Sequence, residues 1–226
     1  MSRMKLYCLP GNDATARAGV ILMGSGVDIT TQMEPGVTHW LAPIPTIIRP
    51  DPPAGVTLIG GNLPGAGIDL LKDPFYLAGN AAITARCALR LINKELNGLP
   101  VLILGWGRIG KCLGKFLTEA GAQVTIAARN AADVAMIQAL GCEGIFLNQT
   151  TSQLDRFGAV INTIPAMVLP STQVREDCVL LELASKPGLA GSHIIDGRGL
   201  PGKYAPEESG QLIARTILRL CKEELQ

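Results

Sequence analysis

An α/β fold built on parallel sheets is predicted by three features of the sequence. Short apolar runs recur along the chain and alternate with segments of helical periodicity. One run, Val101-Leu102-Ile103-Leu104, leads straight into Gly105, Gly107 and Gly110 in G-x-G-x-x-G spacing, then into a helical pattern from Ile109 to about Ala120. Gly121 stops that helix, and Val124-Thr125-Ile126-Ala127 reads as a second strand, completing a β-α-β unit. Runs that are apolar throughout, instead of alternating, suit strands covered on both faces.

The position of the glycines between strand and helix gives them chemical meaning. Gly105 permits the tight turn, Gly107 lets backbone approach a pyrophosphate, and Gly110 lets helix and strand pack closely. A pyrophosphate would rest on the helix N-terminus, where free N–H groups and the dipole favour an anion. The loop Gly105-Trp106-Gly107-Arg108-Ile109-Gly110 is therefore a candidate dinucleotide-binding element of a Rossmann, doubly wound sheet. An NAD site usually places Asp or Glu at the end of the second strand, about 20 residues past the glycines. Here that strand ends Ala127-Ala128-Arg129-Asn130, without a carboxylate. Arg129 offers a planar fork of donors suited to a 2′-phosphate, so NADP is the expected cofactor.

Composition bounds the alternatives. The 226 residues can form one large domain or two small ones, and 47% apolar against 17% charged residues supports a sizeable core. A net charge of +1 gives no electrostatic case for nucleic acid or an anionic membrane. No apolar run approaches a membrane span, and Met1-Ser2-Arg3-Met4-Lys5 leads into a strand instead of a signal-peptide core. Six scattered cysteines without a C-x-x-C pair read as reduced thiols of a cytoplasmic protein. Two histidines make a zinc site improbable, so no metal is expected, and 4% aromatics leave little for base stacking.

In chain order, Met4–Leu9 reads as a strand and Ala14–Met23 as a helix capped by Asn12 or Asp13. Val27–Thr31, Val37–Ala42 and Val56–Ile59 follow as strands whose connecting helices are abbreviated or missing, and they end in Gly/Pro loops. Residues 1–74 are thus expected to form a small α/β domain with a mostly parallel sheet. A long helix, best from Phe75 and stopped by Asn97-Gly98, would connect it over residues 75–98 to a nucleotide domain spanning 99–204. Within that domain Ala132–Leu140 reads as a helix, Gly144–Phe146 as a strand and Thr151–Asp155 as a short helix. Strands at Ala159–Asn162, Cys178–Leu183 and His193–Asp196 follow. A helix from Pro206 to about Glu224, within 205–226, is expected to pack back toward the N-terminal domain.

Ligands of doubly wound sheets gather beyond the carboxyl ends of strands. Three such ends carry polar groups: Asn162-Thr163, running into Ile164-Pro165; Ala184-Ser185-Lys186; and Arg198, with Lys203-Tyr204 close behind. Asn162 and Thr163 would lie near the nicotinamide ribose, while Lys186 and Arg198 are candidates for holding substrate carboxylates, with Ser185 beside them. Capped turns and surface ion pairs use the same residues. His39 lies inside an apolar run and reads as structural, and His193 stays a candidate acid–base group. Ser185 lacks a G-x-S-x-G elbow, so a hydrolase triad has no support.

Taken together, GWGRIG at Gly105–Gly110, AAR at Ala127–Arg129, NTIP at Asn162–Pro165, ASKPG at Ala184–Gly188 and GLPGKYAPEESG at Gly199–Gly210 resemble the dipicolinate synthase A family, in order and in separation. The resemblance covers the chain from about Gly98 onward. It implies a fold akin to the D-2-hydroxy-acid dehydrogenases, with a flavodoxin-like N-terminal domain beside the Rossmann domain. It further implies NADP-dependent oxidation of dihydrodipicolinate by hydride transfer in an interdomain cleft, and a flavoprotein-like second subunit; a homo-oligomer is expected separately. The family is longer and carries a glutamate early in its connecting helix, where this chain reads Gly79-Asn80-Ala81-Ala82-Ile83-Thr84. Two alternatives therefore stand beside it: a 2-oxo or 2-hydroxy acid dehydrogenase-like enzyme, and a non-catalytic NADP-binding regulatory subunit.

Overall fold

The computed structural model describes residues 3–10, 13–48, 50–63, 65–169 and 174–222. The first elements are β1 (Lys5–Cys8), α1 (Ala14–Gly24), β2 (Asp28–Thr30), β3 (His39–Leu41), β4 (Thr57–Gly60), β5 (Ile68–Asp69) and α2 (Pro74–Ile92). They are followed by β6 (Pro100–Leu104), α3 (Arg108–Glu119), β7 (Gln123–Ala128), α4 (Ala131–Ala139), β8 (Glu143–Phe146), β9 (Ala159–Asn162) and β10 (Val179–Glu182). The series closes with β11 (Ile194–Asp196), α5 (Leu200–Tyr204) and α6 (Pro206–Leu220). Two compact units result, one of Met1–Ile83 with Pro201–Gln226, the other of Thr84–Leu200.

In the first unit five parallel strands take the order β2-β1-β3-β4-β5, the flavodoxin-like order. Leu6 pairs with Ile29 on one side and His39 on the other, which places β1 inside the sheet with a neighbour on each edge. Asp13 caps α1 by accepting from Thr15 N–H at 2.8 Å and Ala16 N–H at 2.9 Å. The alternative cap, Asn12, lies outside the described residues. Met4, Leu6, Leu22, Leu41, Ile59 and Leu70 form the core together with Ile213 and Ile217 of α6. Helices α1 and α6 pack tightly because Gly210 has no side chain: an added Cβ would stand 2.6 Å from Arg17 Cβ. β5 escapes the sequence reading because two residues are too short to show a period.

α2 starts where the sequence favours it. Asp73 takes the N-cap position ahead of Pro74, accepting from Tyr76 N–H at 2.7 Å and pairing with the Arg219 guanidinium at 2.6 Å. The helix ends at Ile92, earlier than the Asn97-Gly98 stop expected from the sequence. Asn93 adopts φ 47°, a left-handed conformation that Asn tolerates and that breaks the helix. α6 likewise ends at Leu220, with Cys221 at its C-cap, and Glu223 and Glu224 of the expected extension lie outside the described residues. No helix among the described residues is long and apolar enough to cross a membrane.

The second unit is a six-stranded parallel sheet in the order β11-β10-β9-β6-β7-β8. This is the doubly wound Rossmann order, and its topological switch lies between β6 and β9. Leu102, Leu104, Ala127, Phe157, Val160 and Leu180 fill its core. Leu113 and Leu117 of α3 are buried as well, with Gly114 close enough that a Cβ would meet Ile126 Cδ1 at 3.0 Å.

The Asp73 cap carries a pH-dependent prediction. Burial alone raises its pKa, but hydrogen bonds from Arg219, Tyr76 N–H and Phe75 N–H outweigh that and leave it below the ordinary value. Asp73→Ala should lower unfolding stability in urea at neutral pH by about 1 kcal/mol. Because the folded pKa is depressed, the carboxylate stabilises above its unfolded pKa and loses that contribution as pH falls. The gap between wild type and variant should therefore narrow below about pH 4.

Candidate functional site

At the switch point the chain leaves β6 through Gly105, whose φ is 105° and whose N–H donates to Ala127 O at 3.0 Å. α3 then closes back onto the turn, and a Cβ on Gly110 would overlap the Gly105 carbonyl oxygen. Gly107 takes the N-cap position with no side chain to hydrogen-bond the first-turn N–H groups of α3. A Cβ there would meet no atom within 4 Å. Uncapped N–H groups at the start of a twelve-residue helix, beside open space, suit an anion.

This turn opens into a cleft of about 310 Å³. Gly105, Trp106 and Gly107 form its floor; Ala127, Ala128, Arg129, Asn130 and Asp133 form one wall; Thr163, Ile164 and Pro165 form the other. Trp106 lies along α3, with Lys111 Nζ 5.7 Å from its ring centre. Arg129 is exposed immediately past β7 and makes no ion pair among the described residues. Thr163 is locked to β6: its N–H and Oγ1–H both donate to Leu104 O, at 3.0 and 2.8 Å. A side chain at Gly105 would stand 2.6 Å from that hydroxyl, so turn and wall fit only with glycine.

The structure divides the sequence-predicted residues. Gly105, Trp106, Gly107, Arg129, Thr163, Ile164 and Pro165 come together around the cleft, while Arg108, Ile109 and Gly110 belong to the first turn of α3 behind it. Asn162 is fully buried and does not line the cleft. Its Oδ1 accepts from Ile164 N–H at 3.0 Å and its Nδ2 donates to Ile164 O at 3.0 Å, which shapes the wall from behind. Ala184 is buried at the foot of the next loop, whereas Ser185 and Lys186 are exposed on it. Arg198 is exposed and its guanidinium is already bound twice by Asp196, at 2.8 and 2.7 Å. His39 is buried in β3 with Nδ1 2.9 Å from Thr38 Oγ1. His193, kept as an acid–base candidate, precedes β11 and so lies at the amino end of the parallel sheet, away from the carboxyl ends that form the cleft.

Two carboxylates were missed. Asp133 is on the cleft wall, in the first turn of α4, and its Oδ2 accepts from Asn130 Nδ2 at 2.7 Å. The signal was present: Asn130 followed three residues later by Asp133 marks a helix start and turns both residues toward the end of β7. Glu182, 5% exposed at the end of β10, accepts from Asn162 Nδ2 and from three backbone N–H groups. A single Glu within an apolar strand gave no sign of that role.

No family model matches the chain. A curated relative, the dipicolinate synthase A protein of Bacillus subtilis (strain 168), is 29% identical over 62% of this chain. The chain resembles dipicolinate synthase A. It spans about half of that relative's length, 51%. A solved structure of dipicolinate synthase A from Bacillus halodurans superposes with a TM-score of 0.82 at 20% identity, covering 97% of this chain and 99% of that one. A transhydrogenase from Sinorhizobium meliloti superposes at 0.71 with 12% identity, covering 96% and 92%. At these identities the superpositions show a shared fold.

The glycines separate fold from ligand in a way that can be measured. Gly110→Ala should cost about 2 kcal/mol or more of stability, because backbone must move to admit the methyl group. Gly107→Ala should leave urea unfolding within about 0.5 kcal/mol of wild type, since its φ is ordinary and the space is open.

Proposed function

We propose that the chain is an NADP-dependent oxidoreductase of the dipicolinate synthase A type. Its substrate would be dihydrodipicolinate, or a related small carboxylated ring compound, oxidised by hydride transfer. One observation carries the reading: uncapped N–H groups of α3 open onto a 310 Å³ cleft bounded by Arg129 on one side and the Thr163–Pro165 wall on the other. A cleft of this size, with few convergent polar groups at a switch point, suits part of a dinucleotide.

The residues present fit such a cofactor. α3 N–H groups would hold the pyrophosphate, Arg129 the 2′-phosphate, and the rigid Thr163–Pro165 wall would fix the nicotinamide end. Nicotinamide would supply the hydride acceptor when bound. The chain's own task is then to orient the substrate ring and to hold its carboxylates, for which Lys186 is free among the described residues and Arg198 is engaged by Asp196. Loss of a ring proton makes the product aromatic, a driving force that reduces the need for a strong base. The curated relative is named as one subunit of its enzyme, which supports a second chain as partner.

Calorimetric titration with NADP and NAD, repeated with dipicolinate present, tests the reading. Tighter NADP binding in the presence of dipicolinate is expected, and no binding of either nucleotide would overturn it. Arg129→Asp should weaken NADP binding by about 10–100-fold while NAD binding changes far less, matching the loss of a charge-assisted hydrogen bond. Asp133→Asn should strengthen NADP binding by about threefold by removing a like charge from the same wall.

A further inference from the structure

A buried carboxylate normally needs a reason, since burying it without partners is costly. Glu182 has no cation bonded to it among the described residues. All the groups aimed at its two oxygens are N–H donors, the arrangement for an acceptor-only carboxylate. Its Oε1 accepts from Ala184 N–H at 2.9 Å, and its Oε2 accepts from Gly188 N–H at 2.7 Å and Leu189 N–H at 3.2 Å. One carboxylate thus grips both ends of a loop whose tip, Ser185-Lys186-Pro187, is exposed while Ala184 and Gly188 are buried. Asn162 Nδ2 reaches the same carboxylate at 2.9 Å, and the other contacts of that amide shape the Ile164 wall of the cleft.

The foot of the loop has no slack elsewhere. A Cβ at Gly188 would collide with Ala166 O and Asn162 Nδ2, and Gly188 O accepts from Val168 N–H at 2.9 Å and Leu169 N–H at 3.0 Å. The ends of β9 and β10 are joined here as well, where Leu183 N–H donates to Asn162 O at 2.9 Å. The cleft wall and the loop bearing Lys186 are therefore held by one buried pair, Asn162 and Glu182.

We propose that Glu182 is a positioning residue, whose buried carboxylate fixes the Ser185–Pro187 tip relative to the Thr163–Pro165 wall so that Lys186 meets a substrate carboxylate. The proposal rests on the functional reading above. It places Glu182 behind the reacting groups, touching neither substrate nor cofactor, where its effect is preorganisation of the loop.

Amide exchange on the wild-type protein gives the first arm. Gly188 and Leu189 should exchange as slowly as Leu180 and Leu181 of β10; fast exchange there would overturn the brace. Glu182→Gln is isosteric but presents an amide N–H₂ to donors. It should speed those amides by about tenfold or more. In the NADP complex, dipicolinate affinity should fall by about tenfold or more for E182Q and for K186M, and the double variant should lose little beyond the larger single loss. A merely structural role would not produce that non-additivity; additive losses, or unchanged dipicolinate binding in E182Q, would overturn the proposal. Should E182Q fail to fold, E182D keeps the charge with a shorter reach and is expected to lose dipicolinate affinity to an intermediate extent; wild-type affinity in it would overturn the proposal. Wild-type protein that binds NADP but never dipicolinate would overturn the functional reading and this role with it, and the exchange arm would still report on the brace alone.

Discussion

Helix α3 can close onto the end of β6 only because Gly110 has no side chain, and much of the second unit follows from that contact. Any Cβ there would overlap the Gly105 carbonyl, so the first turn of α3 would have to lift away from the strand. With the helix seated, its open N–H groups face the switch point instead of a side-chain cap. Gly105 then turns at φ 105° against Thr163, whose hydroxyl is tied to Leu104 O. The floor and one wall of the cleft are thus a single packed object, in which Gly105 and Gly110 tolerate almost no added atoms. Gly107 differs: its missing side chain leaves space toward the cleft and has no packing role.

The features legible in the sequence were those with a local period or a steric requirement. Val101–Leu104 and Val124–Ala127 were readable as buried strands because both faces of the sheet are covered, and all of these residues are buried. The glycine turn was readable because Gly105 and Gly110 each answer a distinct contact and Gly107 leaves open space at the start of the helix. What the sequence hid was set by long-range pairing or by exceptions to a rule. β5 is two residues long and exists through Ile59–Ile68 and Gly60–Asp69 pairing. α2 stops at an asparagine in the left-handed region, although a glycine five residues later advertised the stronger stop. His193 was legible as a histidine at a strand, but only the parallel direction of β11 shows that it opens the strand at the end away from the cleft.

Carboxylates that gather loop N–H groups were the least legible residues, half-buried Asp69 in one unit and buried Glu182 in the other. Asp69 Oδ1 accepts from Asn62 N–H at 3.1 Å and Leu71 N–H at 3.0 Å, while Oδ2 accepts from Leu63 N–H at 3.1 Å. It thereby ties the loop after β4 to the turn after β5, with Asn62 at φ 62°. Glu182 ties the ends of β9 and β10 in the same manner. Loops that follow parallel strands leave backbone N–H groups without ladder partners, and a carboxylate can collect several of them at once. Nothing in a one-dimensional pattern separates such a residue from a solvated one, because the donors come from positions two to seven residues away and from a neighbouring strand.

On the proposed function, the choice between nicotinamide cofactors would be made away from the glycines. Backbone N–H groups of α3 would read a pyrophosphate that both cofactors share, so discrimination would fall to the wall beyond β7. Three charges or partial charges meet there: the exposed guanidinium of Arg129, the positive end of α4 and the carboxylate of Asp133. Asn130 caps α4 by accepting from Asp133 N–H at 2.8 Å and donates to the Asp133 carboxylate, so the helix end is partly satisfied from within. The carboxylate is consequently fixed in place, while Arg129 stands exposed on the surface. A 2′-phosphate would have to draw Arg129 in, in the presence of a fixed like charge, whereas a 2′-hydroxyl could donate to that carboxylate directly. A preference for NADP would therefore depend on how much of the Arg129 attraction survives solvent screening at an exposed site, where a charge pair is worth far less than in a dry interior.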